Sequence, residues 1–215
     1  PGIMVASVPM PSETLWFLMD SGWISQLRAG KFSCLRVAPD DLREQKFSTL
    51  LRDKHGDLWL GAVENGGIYL YRDGKFHHAD ETDGMACDSL HALVDDDEAL
   101  WTVCGTGVQR LNKAQLVARM LGGKDLLTPL RFDASGGMAS PEASWLGRPV
   151  AAKDPNGRLW VATQLGISII TEWCNLPDDS NLFCVAHRDI LLTKSCNYYK
   201  MAPAESAKNR KPQRP

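Results

Sequence analysis

Residues 53–61 read Asp-Lys-His-Gly-Asp-Leu-Trp-Leu-Gly, and the fold is predicted from this segment and its repeats. Its first four residues predict a turn, because aspartate favours the opening position and Gly56 tolerates a left-handed backbone near the end. Two leucines then alternate with Trp59 and Gly61, which is the period of a β-strand. The stretch therefore predicts a turn that leads directly into a strand carrying a tryptophan.

The same tryptophan setting occurs in three other places along the chain. Trp16, Trp59, Trp101 and Trp160 follow one another at intervals of 43, 42 and 59 positions. A period in the low forties that contains several short strands is typical of a β-propeller. The longer last interval corresponds to one period plus an insertion.

The cleanest unit predicts four strands joined by hairpins between residues 47 and 79, which is one propeller blade. We therefore predict an all-β chain, a β-propeller fragment of about four blades with four antiparallel strands each, followed by an irregular C-terminal tail. The repeat region is expected at residues 1–171 and the divergent, partly disordered tail at 172–215. The blades are expected around residues 12–36, 47–79, 89–121 and 145–171.

The periodic tryptophans are expected to fill the space between neighbouring sheets, because an indole buries roughly 150–250 Å² of surface. The alternative is that they serve as platforms for a ligand. Glycines recur beside them and complete the structural pattern. The predicted structural repeat positions are Trp16, Trp59, Gly61, Gly67, Trp101, Gly107, Trp160 and Gly166.

Several motif elements occur in a fixed order, and together they resemble the two-component regulator propeller repeat. The elements are Asp53…Gly56…Leu58-Trp59…Gly61, then Gly66-Gly67-Ile68, then Gly74-Lys75-Phe76, then Asp83-Gly84-Met85. The resemblance covers about residues 12–171. It implies the ligand-sensing, non-catalytic portion of a bacterial two-component sensor, located in the periplasm ahead of a membrane span. It also implies about seven blades, so the missing blades and the output domains are expected in a longer protein.

Two other functions stay open at this point, a propeller enzyme (a lyase or hydrolase) and a protein-interaction scaffold, because a fold alone does not decide function. For a sensor, the signal is expected to be a small molecule or an oligosaccharide. Loops on a rigid scaffold usually carry ligand contacts. In the insertion around residues 113–146 and just after it, Trp145 and Arg148 are candidates for a stacking surface and a polar anchor.

The sequence contains no motif for catalysis or for a cofactor. It lacks a phosphate-binding loop and a nucleophile elbow, and the acidic run at 95–98 lacks the alternation of a calcium loop. The six cysteines form no C-x-x-C pair, which argues against zinc, and we read them mainly as buried small apolar residues. We expect no catalytic residue, metal or cofactor, and a net charge of −2 gives no reason to expect nucleic-acid binding.

After residue 171 the repeat pattern stops. Residues 182–186 and 190–192 are compatible with short strands or with a buried helix, and the basic end from 202 has the composition of a solvated tail. A truncated or frameshifted segment is a further explanation. The absence of a long apolar run and the start at Pro1 suggest a piece of a longer protein. An open array of four blades leaves two sheet faces uncovered, so we expect self-association.

Overall fold

The computed structural model describes residues 3–10, 14–36, 45–64, 66–136, 138, 140, 142–143 and 149–171, together with the backbone of 184–188 and 197–200. Within these ranges the chain forms four antiparallel β-sheets and one α-helix. The prediction of an all-β propeller fragment with about four blades is confirmed.

Each sheet is a meander in which strands that follow one another in the sequence are paired. The first sheet consists of β1 (Met4–Met10), β2 (Thr14–Met19), β3 (Trp23–Arg28) and β4 (Lys31–Arg36). The second consists of β5 (Phe47–Arg52), β6 (Leu58–Ala62), β7 (Ile68–Arg72) and β8 (Lys75–Ala79).

The third and fourth sheets follow the same order. The third consists of β9 (Leu90–Asp96), β10 (Ala99–Cys104), β11 (Gly107–Asn112) and β12 (Leu130–Phe132), with helix α1 (Lys113–Met120) between its last two strands. The fourth consists of β13 (Ala151–Lys153), β14 (Leu159–Thr163), β15 (Gly166–Thr171), β16 (Cys184–Arg188) and β17 (Asn197–Lys200).

The third sheet differs from the predicted blade at 89–121. The segment expected to complete that blade forms α1 instead, and β12 supplies the fourth strand. The side chain of Asn112 caps the helix by accepting a hydrogen bond from the Gln115 backbone N–H at 2.9 Å. Alanine, leucine, glutamine, lysine and arginine then favour helix over strand. Leu116 anchors the helix in the core between the second and third sheets.

The bounds of the first and fourth blades also differ from the prediction. The first sheet begins at Met4 rather than near residue 12, because β1 is a strand although it contains Pro9. Proline is tolerated there because β1 pairs only with β2 and forms an edge of its sheet. In the fourth sheet, strand β13 begins at Ala151, and residues 145–148 of the predicted blade lie outside the described residues. The sheet also gains β16 and β17 from the segment predicted to be divergent. The remainder of 172–215 lies outside the described residues, so its predicted disorder stays a prediction.

The sheets are stacked in sequence with their first strands side by side. β1 contacts β5, β5 contacts β9, and β9 contacts β13. Neighbouring first strands are the innermost strands of a propeller, where blades surround an axis. Three apolar clusters fill the three junctions between successive sheets.

The four periodic tryptophans occupy one equivalent position, the second strand of each sheet. Trp16, Trp59 and Trp101 are buried and belong to the first, second and third junctions, respectively. Trp160 is half-buried and faces away from the third sheet. Each of the three buried indoles therefore packs towards the sheet that follows its own.

The reading of the cysteines as buried small apolar residues is wrong in part. Cys87 and Cys104 are buried but form a disulfide, with Cα atoms 6.6 Å apart. Cys34 is a free, exposed cysteine on β4. The cysteines are irregularly spaced in the sequence. Cys87 lies in the loop after β8 and Cys104 at the end of β10, so the disulfide joins this loop to β10.

Candidate functional site

A cleft of about 620 Å³ opens between the second and third sheets, next to helix α1. Ligand sites commonly have volumes of roughly 300–1,000 Å³. The first turns of both sheets form one side, and α1 forms the other. Its polar lining includes Asp53, His55, Arg72, Glu98, Asn112 and Lys113.

Asp53 lies at the floor of the cleft and organises the turn predicted from the sequence. Its carboxylate accepts hydrogen bonds from the backbone N–H groups of His55 at 2.9 Å and Asp57 at 3.1 Å. It also accepts from Trp59 Nε1 at 3.0 Å. Burial acts to raise the pKa of Asp53, but the bond from Trp59, the charge of Lys113 and the backbone donors outweigh it and lower that pKa.

Lys113 is a buried cation at the start of α1. Its Nζ pairs with Asp95 at the end of β9 and lies 3.8 Å from Asp53 in the second sheet. A buried charge requires such compensation, because leaving it unpaired is strongly unfavourable. Lys113 therefore connects the helix, the second sheet and the third sheet at one point.

Two further ion pairs border the cleft. Arg72 Nε donates to both carboxylate oxygens of Asp57, at 3.0 and 3.1 Å, and its terminal nitrogen also donates to Asp57. Lys54 and Asp97 form an exposed pair at 2.9 Å that joins the first turns of the second and third sheets. The first pair is a bidentate interaction with a defined geometry, whereas the exposed pair contributes little energy.

The opposite wall is the outer face of α1. Ala114, Val117 and Ala118 line the cleft there, while Leu116 points into the core. Trp59 borders the cleft but is fully buried, so its ring cannot serve as a stacking platform. The site thus combines a small apolar wall with charged and amide groups.

The arrangement is suited to binding a polar small molecule. Among the described residues, no group of three or more His, Cys, Asp or Glu side chains is placed to hold a metal ion. The predicted ligand contacts Trp145 and Arg148 lie outside the described residues, so they stay a prediction. Sequence reasoning missed Lys113 and Arg72, for which no recurring motif gives a signal.

The hydrogen bond between the indole and an aspartate at or beside the first turn recurs, and it was not predicted from the sequence. Asp96 accepts from Trp101 Nε1 at 3.1 Å, and Asp154 accepts from Trp160 Nε1 at 2.9 Å. An aspartate five or six residues before each of these tryptophans was the available signal. The Trp16 indole N–H is buried and has no hydrogen-bond partner in the described part of the chain.

The repeat glycines lie at close approaches of the backbone. Gly67 and Gly107 have φ values of 66° and 140°, and a Cβ at either would collide with a carbonyl oxygen of the neighbouring strand or turn. Gly61 lies on β6, where a Cβ would lie 2.6 Å from Thr49. Gly166, with φ 127°, begins β15.

No family model and no curated protein matches the sequence. Among solved structures, the chain is similar to the extracellular domain of BT4673 from B. thetaiotaomicron, assigned to the one component or hybrid two component systems. The TM-score is 0.61 at 15% identity over 94% of this chain and 31% of that chain. Virginiamycin B lyase from Staphylococcus aureus gives a TM-score of 0.57 at 12% identity, over 93% of this chain and 70% of that one.

A third similar structure is PorZ, a surface component of the type-IX secretion system of Porphyromonas gingivalis, with a TM-score of 0.55 at 14% identity over 85% of this chain. This chain spans about 30% of the length of both PorZ and the BT4673 domain. At these identities the likeness shows the fold alone. The fold is that of a β-propeller fragment, a class that includes extracellular sensor domains and a lyase. In the described part of the chain, no helix has the length and hydropathy needed to span a membrane.

Proposed function

We propose that this chain is the ligand-sensing β-propeller portion of a bacterial two-component sensor and is itself non-catalytic. The ordered motif elements at residues 53–85 support this proposal, as does the fold shared with an extracellular sensor domain. In this proposal the propeller is extracytoplasmic, and the remaining blades and the output domain belong to the same protein.

The observation that carries the proposal is the position of the cleft at a junction between two sheets. Asp53 at its floor belongs to the second sheet, Asp95 belongs to the third, and Lys113 contacts both carboxylates. Asp53 also holds Trp59, which packs in the same junction. A ligand that contacts His55 of the second sheet together with Glu98 or Asn112 of the third would therefore bias the spacing of two blades.

The ligand that we propose is a polar small molecule or an oligosaccharide. Glu98, Asn112 and His55 at the lining offer acceptors and donors for hydroxyl or amino groups. Arg72 and Lys113 already have carboxylate partners, so an anionic ligand would have to compete with Asp57 or Asp95. A neutral, hydroxyl-rich ligand or an amine meets no such competition.

Signal transmission would follow from differential binding to two arrangements of the junction. A ligand shifts a conformational equilibrium only by as much as its affinities for the two states differ. In this proposal the unit that shifts is α1 together with Lys113, because the Lys113 ammonium contacts Asp53 of the second sheet and Asp95 of the third. Output domains in the intact sensor would respond to the altered blade packing.

A thermal-shift screen of oligosaccharides, amino acids and amines on the 215-residue chain tests the proposal. A ligand at about 100 times its Kd stabilises the folded state by about 2.7 kcal/mol. Glu98→Gln and His55→Ala change exposed groups at the cleft and are expected to weaken binding. Glu81→Gln, an exposed carboxylate in the loop after β8, is the matched control.

Two results would contradict the proposal. The first is a panel in which no compound raises the melting temperature, and the second is a bound ligand whose affinity is unchanged by both cleft variants. Because of the fold shared with virginiamycin B lyase, the non-catalytic part is tested separately by incubation with quinupristin. Conversion of quinupristin, detected by mass spectrometry, would overturn that part.

A further inference from the structure

The second and third sheets meet at one side of the cleft through their first turns. The turn between β5 and β6 contributes Lys54 and His55, and the turn between β9 and β10 contributes Asp97 and Glu98. We call residues 97–98 the acidic turn. All four side chains are exposed, and the Lys54 ammonium pairs with the Asp97 carboxylate across the two sheets at 2.9 Å. The chain itself therefore places an alkylammonium group against the acidic turn.

The acidic turn carries more negative charge than its neighbours neutralise. Asp97 has Lys54 as its partner, whereas Glu98 forms no ion pair within the described part of the chain. The pKa of Lys54 is raised above its usual value, first by its bond to Asp97 and further by the charges of Asp95 and Glu98, which together outweigh the loss of hydration. A positive charge is therefore favoured beside this turn.

The cations that line the cleft already have partners. Arg72 is bound to Asp57, and Lys113 is bound to Asp95. The start of α1 favours an anion through the helix dipole, but the Lys113 backbone N–H at this position already donates to the Glu98 carbonyl at 2.9 Å. An anion would also lie close to the unpaired Glu98 carboxylate. These contacts favour a cationic ligand over an anionic one.

The opposite wall of the cleft is suited to a hydrocarbon chain. Ala114, Val117 and Ala118 line it at spacings of three and four residues, so they share one face of α1. Their side chains contain no polar atom. A hydroxyl-rich ligand would find no hydrogen-bonding side chain on this face, whereas methylene groups would pack against it.

We propose that the cleft binds a primary aliphatic amine as its ammonium ion, with the ammonium at the acidic turn and the hydrocarbon chain along α1. This inference rests on the proposed function, because it names the class of ligand for the same cleft. The ammonium donates to the Glu98 carboxylate, and the His55 imidazole of the second sheet accepts a further hydrogen bond. Such a ligand connects the first turns of two sheets, as Lys54 does within the chain.

NMR titrations of the isotope-labelled full chain at neutral pH with pentylamine, pentanol and pentanoate test the proposal, because these probes share one hydrocarbon chain and differ in charge. We expect pentylamine to bind about three to five times more tightly than pentanol, as one exposed ion pair allows, and to shift the backbone N–H signals of residues 53–57 and 97–98. Pentanoate should bind more weakly than pentanol. Raising the salt concentration from about 0.01 M to about 1 M shortens the screening length from about 30 Å to about 3 Å and should remove the advantage of the amine.

Two variants with opposite expected effects test the acidic turn itself. Glu98→Gln removes a charge, so it should weaken pentylamine binding about threefold to fivefold and leave pentanol binding unchanged. Lys54→Ala removes the internal competitor at Asp97 and should strengthen pentylamine binding. Glu81→Gln and Lys31→Ala change exposed charges outside the cleft, and these matched controls should bind like the original chain.

Equal affinities for pentylamine and pentanol overturn the proposal, and so does tighter binding of pentanoate, which would indicate an anion site at the start of α1. Unchanged pentylamine affinity in Glu98→Gln, or weaker binding in Lys54→Ala, overturns it as well. A neutral oligosaccharide that shifts the same signals while amines do not would refute this inference and leave the proposed function intact. If neither class of compound binds, the proposed function fails with it.

Discussion

Replacement of Asp53 by alanine tests whether the turn aspartate stabilises the junction between the second and third sheets. The carboxylate accepts hydrogen bonds from Trp59 Nε1 and from the backbone N–H groups of His55 and Asp57. Asp154 accepts the equivalent three hydrogen bonds in the fourth sheet, from Trp160 Nε1 and from the backbone N–H groups of two residues in its turn, and it also accepts one from Arg158 Nε at 2.6 Å. Asp154→Ala is therefore the matched control.

The two sites differ in enclosure, and this difference determines the expected effect. Trp59 and Asp57 are buried, so two of the donors that lose Asp53 cannot reach water. A buried donor without a partner costs about 1–3 kcal/mol, and removal of the buried carboxylate recovers part of this. We expect Asp53→Ala to lower the free energy of unfolding by about 3 kcal/mol. In Asp154→Ala, the half-buried Trp160 can bond to water, so the decrease should be much smaller.

Urea-induced unfolding followed by circular dichroism measures both changes. For a chain of this size, about 3 kcal/mol corresponds to a fall in the melting temperature of about 6–12 °C. The double variant Asp53→Ala/Trp59→Phe separates the hydrogen bond from other effects, because interacting residues give a coupling energy of about 0.5–3 kcal/mol. Equal losses in Asp53→Ala and Asp154→Ala, or a coupling energy of zero, would show that the enclosed Asp53–Trp59 bond does not stabilise the junction.

Three further predictions concern the same repeat. The pKa values of Asp53, Asp96 and Asp154 are lowered, that of Asp154 to about 2, because hydrogen bonds and nearby cations outweigh burial. The ionised carboxylates stabilise the folded state above their unfolded-state pKa, and this stabilisation is lost as the pH falls. Calorimetry should therefore show the melting temperature decreasing between about pH 4 and pH 2. A melting temperature that stays constant in this range would contradict the prediction. Gly67→Ala should destabilise more than Gly30→Ala in urea unfolding, because both have positive φ but only Gly67 has a carbonyl oxygen, that of Ala79, against its added Cβ. Trp101→Ala should lower the free energy of unfolding in urea by about 3–5 kcal/mol, because Trp101 is buried. Trp160 is half-buried, so Trp160→Ala should lower it by less. Similar losses in the two variants would show that the repeated tryptophans do not stabilise the fold by packing.

The sheets could be predicted from the sequence because their determinants are local. A turn aspartate, a glycine and a tryptophan within nine residues fix a hairpin, and hairpin strands pair without distant information. Helix α1 was missed because it is only eight residues long and the repeat favours a strand at 115–121. Its position depends on the Asn112 cap and on Leu116 reaching the core between two sheets, which are tertiary features.

The cleft could not be predicted, because its residues come from separate turns and from α1. Lys113 in the sequence is one lysine among others, and only the meeting of Asp53 and Asp95 gives it a buried, paired environment. His55 and Asp53 both lie within residues 53–61, but the composition of a turn does not by itself indicate a binding site. The residues that line the cleft come from separate segments and therefore leave no pattern in the sequence. The aspartates and tryptophans that build the junctions recur with the repeat and can therefore be recognised.

The aspartate of the first turn connects the local hairpin with the junction between two sheets. Its backbone carbonyl and carboxylate close the turn locally, with Gly56 N–H donating to the Asp53 carbonyl at 3.1 Å and Gly157 N–H donating to the Asp154 carbonyl at 3.0 Å. In the second sheet the same carboxylate holds an indole that packs towards the third sheet. A change at one turn is therefore transmitted to a junction through a single side chain. In the second sheet that side chain also lines the cleft, so the most enclosed of these aspartates is the one that belongs to the candidate site.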